Sequence, residues 1–282
     1  VWDLPVLFVI ENNGYGLSTP NTEQFKGESL APRGDGYGVE SISIDGNNIV
    51  EVYTTVKEKI ESIRKNPRPI LLECFTFRMR GHEEASGTKY VPKDVMEYWE
   101  KKDPVINFEK YLIGEKIYNK DEILKERDKL KDEINEAVKT SFDNSKFEVN
   151  EDSEIEDVFY PYTQKVIHPK EKTMSERRYV DAISDSLDQN MSKFRDLIIM
   201  GQDISDYGGV FKVTEGFVEK FGRDRVRNTP LCESAIVGTA LGLSIEGIKS
   251  IVEMQFADFV TCGFNQIVNN LAKTHYRWGQ NA

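Results

Sequence analysis

The residues Leu4-Pro5-Val6-Leu7-Phe8-Val9-Ile10 form a short continuous apolar run, and Glu11-Asn12-Asn13-Gly14-Tyr15-Gly16 follow it directly. An unbroken apolar run of this length suits a strand buried on both faces, the habit of parallel sheets. The theme recurs downstream. Tyr37 to Ile44 reads as a second strand, and Asp45-Gly46-Asn47-Asn48 leads from it into a helix. Asn48 and Glu51 fit an N-cap with its reciprocal partner, and Val52, Val56, Ile60 and Ile63 recur at helical spacing. Pro69 to Phe75 is a third strand. Strands alternating with helices predict an α/β fold, a parallel sheet covered on both faces.

Arg78 to Asp94 has little periodicity and contains Gly81, Gly87 and Pro92, so it reads as a long loop after a strand. Asn119 to about Phe142 reads as an amphipathic helix, with Ile123, Leu130, Ile134, Ala137 and Val138 as its stripe. An acid-rich stretch, Glu148 to Asp157, is then followed by Pro161 and Pro169. It reads as a linker over 148–172, dividing a unit at 1–147 from one at 173–282. Thr173-Met174-Ser175-Glu176 has the form of a capping box, and Tyr179, Ala182, Ile183 and Leu187 mark a helix. Leu197 to Met200 is a strand, Glu233 to Ser244 a small-residue helix, and Ser250 to Gln255 another strand.

Composition narrows the function classes. Asp and Glu number 48 against 37 Lys and Arg, a formal net charge of −11, which argues against nucleic-acid binding and against a basic helix on a membrane surface. No apolar run approaches the roughly 20 residues of a membrane span, and no secretory signal opens the chain. Cys74, Cys232 and Cys262 make neither a metal pattern nor a disulfide framework, and buried free thiols in a reducing, cytoplasmic compartment are the expectation. Val1 stands one step before a core strand, which suggests a cut inside a domain.

Three segments carry chemistry. Ligands bind at strand ends in parallel sheets, and Asn12-Asn13-Gly14 sits at one. An Asn oxygen and a nearby carbonyl could supply two ligands to a hard cation such as Mg²⁺, although on these residues alone a turn is the simpler reading. His82, in Arg78-Met79-Arg80-Gly81-His82, would ordinarily be a solvated loop residue. Glu233, at the head of an apolar helix, would ordinarily be a first-turn acid favoured by the helix dipole.

The wider context changes those readings. LPVLFVIENNGYGLSTP, at 4–20, resembles the end of the thiamine-diphosphate motif in the first subunit of 2-oxo acid dehydrogenases. YGGVFKVT at 207–214, NTPLCE at 228–233 and QFADF at 255–259 resemble the start of the second subunit. The resemblance implies two transketolase-like parallel-sheet domains, each present in part and joined as in a natural fusion of the two subunits. The motif's opening Gly-Asp-Gly would lie before Val1. The resemblance makes Asn13 a Mg²⁺ ligand through its side chain and Tyr15 one through its carbonyl, with Leu17 packing against the cofactor. It places His82 in the active-site loop facing the cofactor and incoming lipoyl group, where a group titrating near neutral pH is apt. Glu233 would hydrogen-bond the aminopyrimidine ring, with Gln255 and Phe259 lining the same pocket. Glu83 stands where many relatives carry a Ser that mitochondrial members phosphorylate, so kinase control at that position is not expected.

The implied reaction is oxidative decarboxylation of a 2-oxo acid, with transfer of the acyl unit to a lipoylated dihydrolipoyl acyltransferase. In the family the two half-sites meet across a subunit interface, so an oligomer, a dimer of the fused chain, is expected. NNGYGLSTP and NTPLCE lean towards the branched-chain enzyme; a pyruvate or acetoin dehydrogenase component is the alternative, and a non-catalytic scaffold or inactive fragment the reading from another class.

Overall fold

The computed structural model describes residues 2–83, 85–144, 150–166, 168 and 175–279. By packing, the chain divides into two units, Val1–Lys146 and Phe147–Ala282.

In the first unit, β1 (Leu7–Asn12) leads into a hairpin of β2 (Tyr15–Gly16) and β3 (Thr19–Pro20), then the one-turn helix α1 (Asn21–Gln24). Two 3₁₀ turns, Ala31–Arg33 and Asp35–Tyr37, precede β4 (Glu40–Asp45), α2 (Ile49–Lys65) and β5 (Ile70–Phe75). The helices α3 (Lys93–Lys101), α4 (Pro104–Gly114) and α5 (Lys120–Asn144) complete it. The sheet is parallel, in the order β1-β5-β4. Its register aligns Asn12 and Asp45 with Phe75, so all three strands finish at one level and their following loops emerge together. Leu72, Cys74 and Ile44 form the core, with Leu7, Ile42, Val52 and Val56 packed against them.

Local chemistry sets the helix starts. The Asn48 side chain accepts from the Glu51 N–H, and Asp103, ahead of Pro104, accepts from the Ile106 N–H at 2.9 Å. Asn119 and Glu122 exchange reciprocal bonds of 3.0 and 2.7 Å, a complete capping box for α5.

The second unit holds α6 (Glu151–Glu156), α7 (Tyr179–Lys193), β6 (Ile198–Gly201), α8 (Phe217–Phe221), β7 (Val226–Asn228), α9 (Glu233–Ile245) and β8 (Ser250–Val252). A 3₁₀ segment Ala257–Gly263, a π-helical turn Gln266–Leu271 and α10 (Ala272–Arg277) follow. Its sheet is also parallel, in the order β7-β6-β8. Met191, Leu197, Ile199, Ile204, Phe217 and Val226 form its core. Arg225 donates to the carbonyls of Met191, Phe194 and Leu197 at 2.7 to 3.0 Å, so one cation satisfies the chain leaving α7.

Several local expectations need correction. The second strand starts at Glu40, because the Gly-rich stretch before it closes into 3₁₀ turns. The apolar run at 4–10 is not the whole strand: Glu11 and Asn12 extend β1, and a hairpin of β2 and β3 follows within 15–20. The strand β8 ends at Val252, three residues short of Gln255. The helix α7 begins at Tyr179 without a side-chain cap, so Ser175 and Glu176 lie outside it, while Thr173 and Met174 fall outside the described residues. Within the expected linker, Glu151–Glu156 is helical because Asn150 caps it, accepting from Asp152 and Ser153; residues 148–149, 167 and 169–172 are outside the described set. Cys74 is buried, but Cys232 and Cys262 are exposed. β1 is an edge strand bonded only to β5, and Phe8 and Val9 are each 52% exposed rather than covered on both faces. The helix α5 forms, yet of its stripe only Ile123 is buried; Leu130, at 55% exposure, Ile134 and Val138 are open. No helix among the described residues is long and apolar enough to cross a membrane.

The contrast between stripe and core gives a direct stability expectation. Leu72→Ala empties a site with 0% exposure and should lower unfolding free energy by about 2–5 kcal/mol. Leu130→Ala, on the open stripe, should change it by about 0.5 kcal/mol or less. Urea unfolding of both variants checks the difference; equal losses would mean that α5 is covered in solution.

Candidate functional site in two half-sites

The first half-site is built on a buried anion. Glu73 lies in mid-strand on β5 with 0% exposure. Its Oε1 accepts from Asn12 Nδ2 at 2.7 Å and from the Leu30 N–H at 2.9 Å. Its Oε2 accepts from the Ala31 N–H at 3.0 Å, from Ser43 Oγ at 2.9 Å and from Ser29 Oγ. Burial pushes this carboxyl upward, but the bonds from Ser29, Asn12, Leu30 and Ala31 together override it and hold the pKa at about 2, down from 4.5.

Asn12 passes that order into the loop. Its Oδ1 accepts from the Gly14 N–H at 3.1 Å and from Asn21 Nδ2 at 2.7 Å. Gly14 has φ +78°, a conformation a side chain would strain, and its carbonyl accepts from the Asn21 N–H at 2.9 Å. Asn13 Oδ1 accepts from the Tyr15 N–H at 3.0 Å. An amide oxygen has two lone pairs, so one remains for a ligand. Pro20 stands opposite Tyr15 in the hairpin and has no N–H to give the Tyr15 carbonyl. Two hard oxygen donors thus suit a Mg²⁺ that draws its other ligands from phosphate and water. Among the described residues no group of three or more His, Cys, Asp or Glu could hold a metal ion.

Leu17, at the first position of the two-residue hairpin loop, has φ +62° and an exposed side chain. Such a position normally takes Gly, and a non-Gly residue held there marks stored strain. Arg78 ties this tip to the loop that carries His82. Its Nη2 donates to the Leu17 carbonyl at 3.4 Å, and Nη1 lies 3.3 Å from His82 Nδ1. His82 itself is exposed. The Tyr15 ring meets Phe77 and Tyr90 edge-on, and Phe77 stacks on Trp99, so the two loops share an aromatic cluster. Beside it is a small cavity of about 220 Å³, lined by Asn12, Asn13, Asn21, Glu28, Thr76 and Trp99 among others.

The second half-site gathers on β6 and α9. Glu233 is the first residue of α9 and is half-buried, where the helix dipole favours a carboxylate. Its Oε1 accepts from Nε2 of the buried Gln202 at 3.1 Å. Gln255 Nε2 donates to Asp203 Oδ2 at 3.2 Å. Phe259 meets Phe256 edge-on, and Phe256 meets Phe211 likewise, leaving an aromatic rim near these polar groups. One carboxylate oxygen with a fixed partner, amide groups and aromatic edges fit a flat nitrogen heterocycle such as the cofactor's pyrimidine ring. Across the loop, Gly208 and Gly209 have φ +77° and +78°, and a Cβ at Gly209 would lie 3.7 Å from the Glu253 carboxylate oxygens. Burial raises the pKa of Glu253.

The residues expected from sequence therefore fall into two sets: Asn13, Tyr15, Leu17 and His82 in the first unit, and Glu233, Gln255 and Phe259 in the second. Of the groups that order these segments, Glu73 and Gln202 were not singled out in the sequence, and Asn12 and Arg78 only as members of their segments. Glu73 had a visible signal, a lone acid inside the apolar strand Ile70-Leu71-Leu72-Glu73-Cys74-Phe75. Gln202 had a weaker one, a polar residue immediately after a parallel strand.

Residues 1–150 match the model of the dehydrogenase E1 component family, and residues 175–280 match that of the pyrimidine-binding domain of transketolase. The first match covers more than half of the chain, and the chain belongs to this thiamine-diphosphate-dependent dehydrogenase E1 family; its two parallel-sheet units are of the transketolase-like type. More particularly, it is 44% identical over 104 residues to the beta subunit of 2-oxoisovalerate dehydrogenase of Bacillus subtilis, covering 37% of this chain and 32% of that one. It is 39% identical over 145 residues to the alpha subunit of acetoin:2,6-dichlorophenolindophenol oxidoreductase of Bacillus subtilis, covering 51% and 43%. It is 43% identical over 106 residues to the pyruvate dehydrogenase E1 component subunit beta of Staphylococcus aureus, covering 38% and 33%. The chain thus spans between about a third and under half of the length of these relatives.

The Glu73 cluster implies a pH dependence of stability. The folded pKa is lowered, so the contribution is complete above the ordinary value of 4.5 and disappears as pH falls from there towards about 2. The urea midpoint of the wild type should therefore drop more steeply between about pH 5 and pH 3 than that of Glu73→Gln. Parallel slopes would show that this carboxyl is not held as an anion.

Proposed function

We propose that this chain is the cofactor-binding portion of a thiamine-diphosphate-dependent 2-oxo acid dehydrogenase, carrying alpha-like and beta-like portions in one polypeptide. Its alpha-like part, 1–147, would take the diphosphate and Mg²⁺. The acidic segment 148–172 would be a linker, and 173–282 would take the pyrimidine ring. The observation that carries the reading is the pair of oxygen donors at the end of β1: Asn13 Oδ1 and the Tyr15 carbonyl, held in a hairpin hung from a buried anion.

Thiamine diphosphate, when bound, supplies the nucleophilic carbon and the electron sink for decarboxylation. In this reading the protein's own groups do the remainder. Asn13 and Tyr15 anchor the diphosphate through Mg²⁺, and Leu17 packs against the cofactor. Glu233 holds a proton at the ring nitrogen, and Gln202 keeps its carboxylate aimed. Gln255 and Phe259 line the ring's pocket. His82 moves a proton during acyl transfer to a lipoyl group on a dihydrolipoyl acyltransferase, in an oligomer of the chain in the cytoplasm.

The substrate class leans towards branched 2-oxo acids, from NNGYGLSTP and NTPLCE. Relatives named for 2-oxoisovalerate, acetoin and pyruvate all match at similar identity, so pyruvate and acetoin are the competing substrates. A scaffold or inert segment is the competing class, and turnover of the full-length protein over branched 2-oxo acids, pyruvate and acetoin decides between them.

Two variants test the half-sites separately. Asn13→Ala should weaken Mg²⁺-dependent thiamine diphosphate binding by about tenfold or more in calorimetric titration. Unchanged affinity would remove Asn13 from the metal. Glu233→Gln keeps size and a hydrogen bond, so the cofactor should still bind. Decarboxylation should fall on the order of a hundredfold or more, with proton–deuterium exchange at the cofactor's reactive carbon slowing in parallel. Exchange at the wild-type rate would rule out Glu233 as the activating acid.

A further inference from the structure

We propose that Glu73 is a positioning residue for the cation-binding loop: its buried carboxylate dictates which way the Asn12 amide faces, and through Asn12 it presets Asn13 and Tyr15 for a divalent cation. The inference rests on the reading of that loop given above, and it concerns residues that do not themselves touch the cation.

Donors and acceptors decide which way the amide faces. An ionised carboxylate accepts hydrogen bonds and donates none, whereas an amide presents NH₂ on one side and oxygen on the other in nearly the same shape. Asn12, 7% exposed, could therefore occupy its site in two orientations. With Glu73 Oε1 only 2.7 Å away, one of them would bring two acceptors together with no proton between them. The surviving orientation turns Asn12 Oδ1 towards the loop, where it accepts from Gly14 N–H and Asn21 Nδ2. Those two residues bracket the hairpin Tyr15–Pro20, one just before it and one just after. The Asn21 N–H adds a bond to the Gly14 carbonyl at 2.9 Å. Both ends of the segment that offers the Tyr15 carbonyl are thus pinned to one amide oxygen. Asn13, caught between Asn12 and Gly14, has its own side chain closed onto the Tyr15 N–H.

Glu73 adds a second effect. Its partners Asn12, Ser29, Leu30, Ala31 and Ser43 are all neutral donors. Its charge is spread over hydrogen bonds and meets no cation among the described residues, so a fixed negative charge stands at the base of the loop. In a site screened from water such a charge favours a cation far more than it would at the surface.

A satisfied core acid would account for part of this, and the geometry separates the two roles. The Asn12 bond falls on Oε1, while Ser43 and Ala31 bond Oε2. Ser43→Ala therefore damages the cluster away from Asn12. The double variant Glu73→Gln with Asn12→Asp reverses the pair instead: the Gln NH₂ would donate to the Asp oxygen, the Asp would still accept from Gly14 and Asn21, and the net charge would be unchanged.

The test is a Mn²⁺ titration of full-length protein with thiamine diphosphate, read by electron paramagnetic resonance of the free ion, with thermal unfolding alongside. Glu73→Gln should weaken Mn²⁺ binding roughly ten- to a hundredfold. The double variant should return to within about threefold of wild type. Ser43→Ala should lower Tm while leaving Mn²⁺ affinity unchanged. Asn13→Ala serves as the reference: if it binds Mn²⁺ as wild type does, the metal reading of the loop fails, whatever Glu73 does. If Asn13→Ala is weakened but a folded Glu73→Gln is not, the positioning role is overturned. The same holds if the double variant binds no better than Glu73→Gln, or if Ser43→Ala loses affinity in step with its Tm. Should Glu73→Gln alone not fold, the double variant decides: near-wild-type affinity supports the role, and a native-like fold with hundredfold weaker binding overturns it.

Discussion

A carboxylate with no counter-cation among the described residues, buried in the middle of an apolar strand, is the constraint around which the first unit is arranged. Ionised groups are not left bare in a protein interior; each lone pair must be met, or the group takes up a proton and the cluster loosens. Glu73 meets this with two backbone amides from the segment at Leu30, two serines and one asparagine amide. The donors come from three places in the chain, and none is useful unless the others are in position. Satisfying one anion therefore fixes the end of β1, the approach to the 3₁₀ turn at Ala31 and the face of β4 at once. Apolar packing of Leu72 and Ile44 could hold the sheet together without specifying these loops; the polar cluster supplies the direction that packing lacks.

The second unit reaches a comparable result by lighter means. Gln202, buried at the end of β6, donates to Glu233 and so orients a carboxylate that remains half-open. Here the buried member is a neutral amide, which costs less to desolvate than a carboxylate, and the charged member faces outward on the first turn of α9. The first unit buries its acid to shape a loop of neutral oxygens, while the second buries an amide to aim an acid. One ordering group sits on a strand and the other just past the end of one, the end at which parallel sheets open to ligands.

The regular elements were largely legible in the sequence because they follow from periodicity and capping. The short apolar runs gave parallel strands, and Asn48 and Asn119 marked true helix starts. What periodicity could not supply was context. The Thr173 to Glu176 pattern has the spacing of a capping box, yet α7 opens only at Tyr179. The Gly-rich stretch before Glu40 looked extended but curls into 3₁₀ turns. Candidate site residues on recognisable segments, such as Asn13, His82 and Glu233, could be singled out in advance. Those that orient them could not, since Glu73, Arg78 and Gln202 act through partners 61, 61 and 31 residues away. A pairing over such distances leaves no trace in local spacing.

The open apolar surfaces carry the same lesson. A stripe such as Ile123, Leu130, Ile134 and Val138 records that one face of α5 is kept apolar, but not what lies against it. The apolar run of β1 likewise promised cover on both faces, and among the described residues that cover is missing over Phe8 and Val9. The polar cluster at the end of the same strand is, by contrast, complete within the unit. Hydrogen bonds fail outright when a partner is lost, whereas apolar area is favourable in proportion to what covers it. A polar cluster that closes on itself can therefore hold the loop at Asn13 in order while the faces of its own strand stand open.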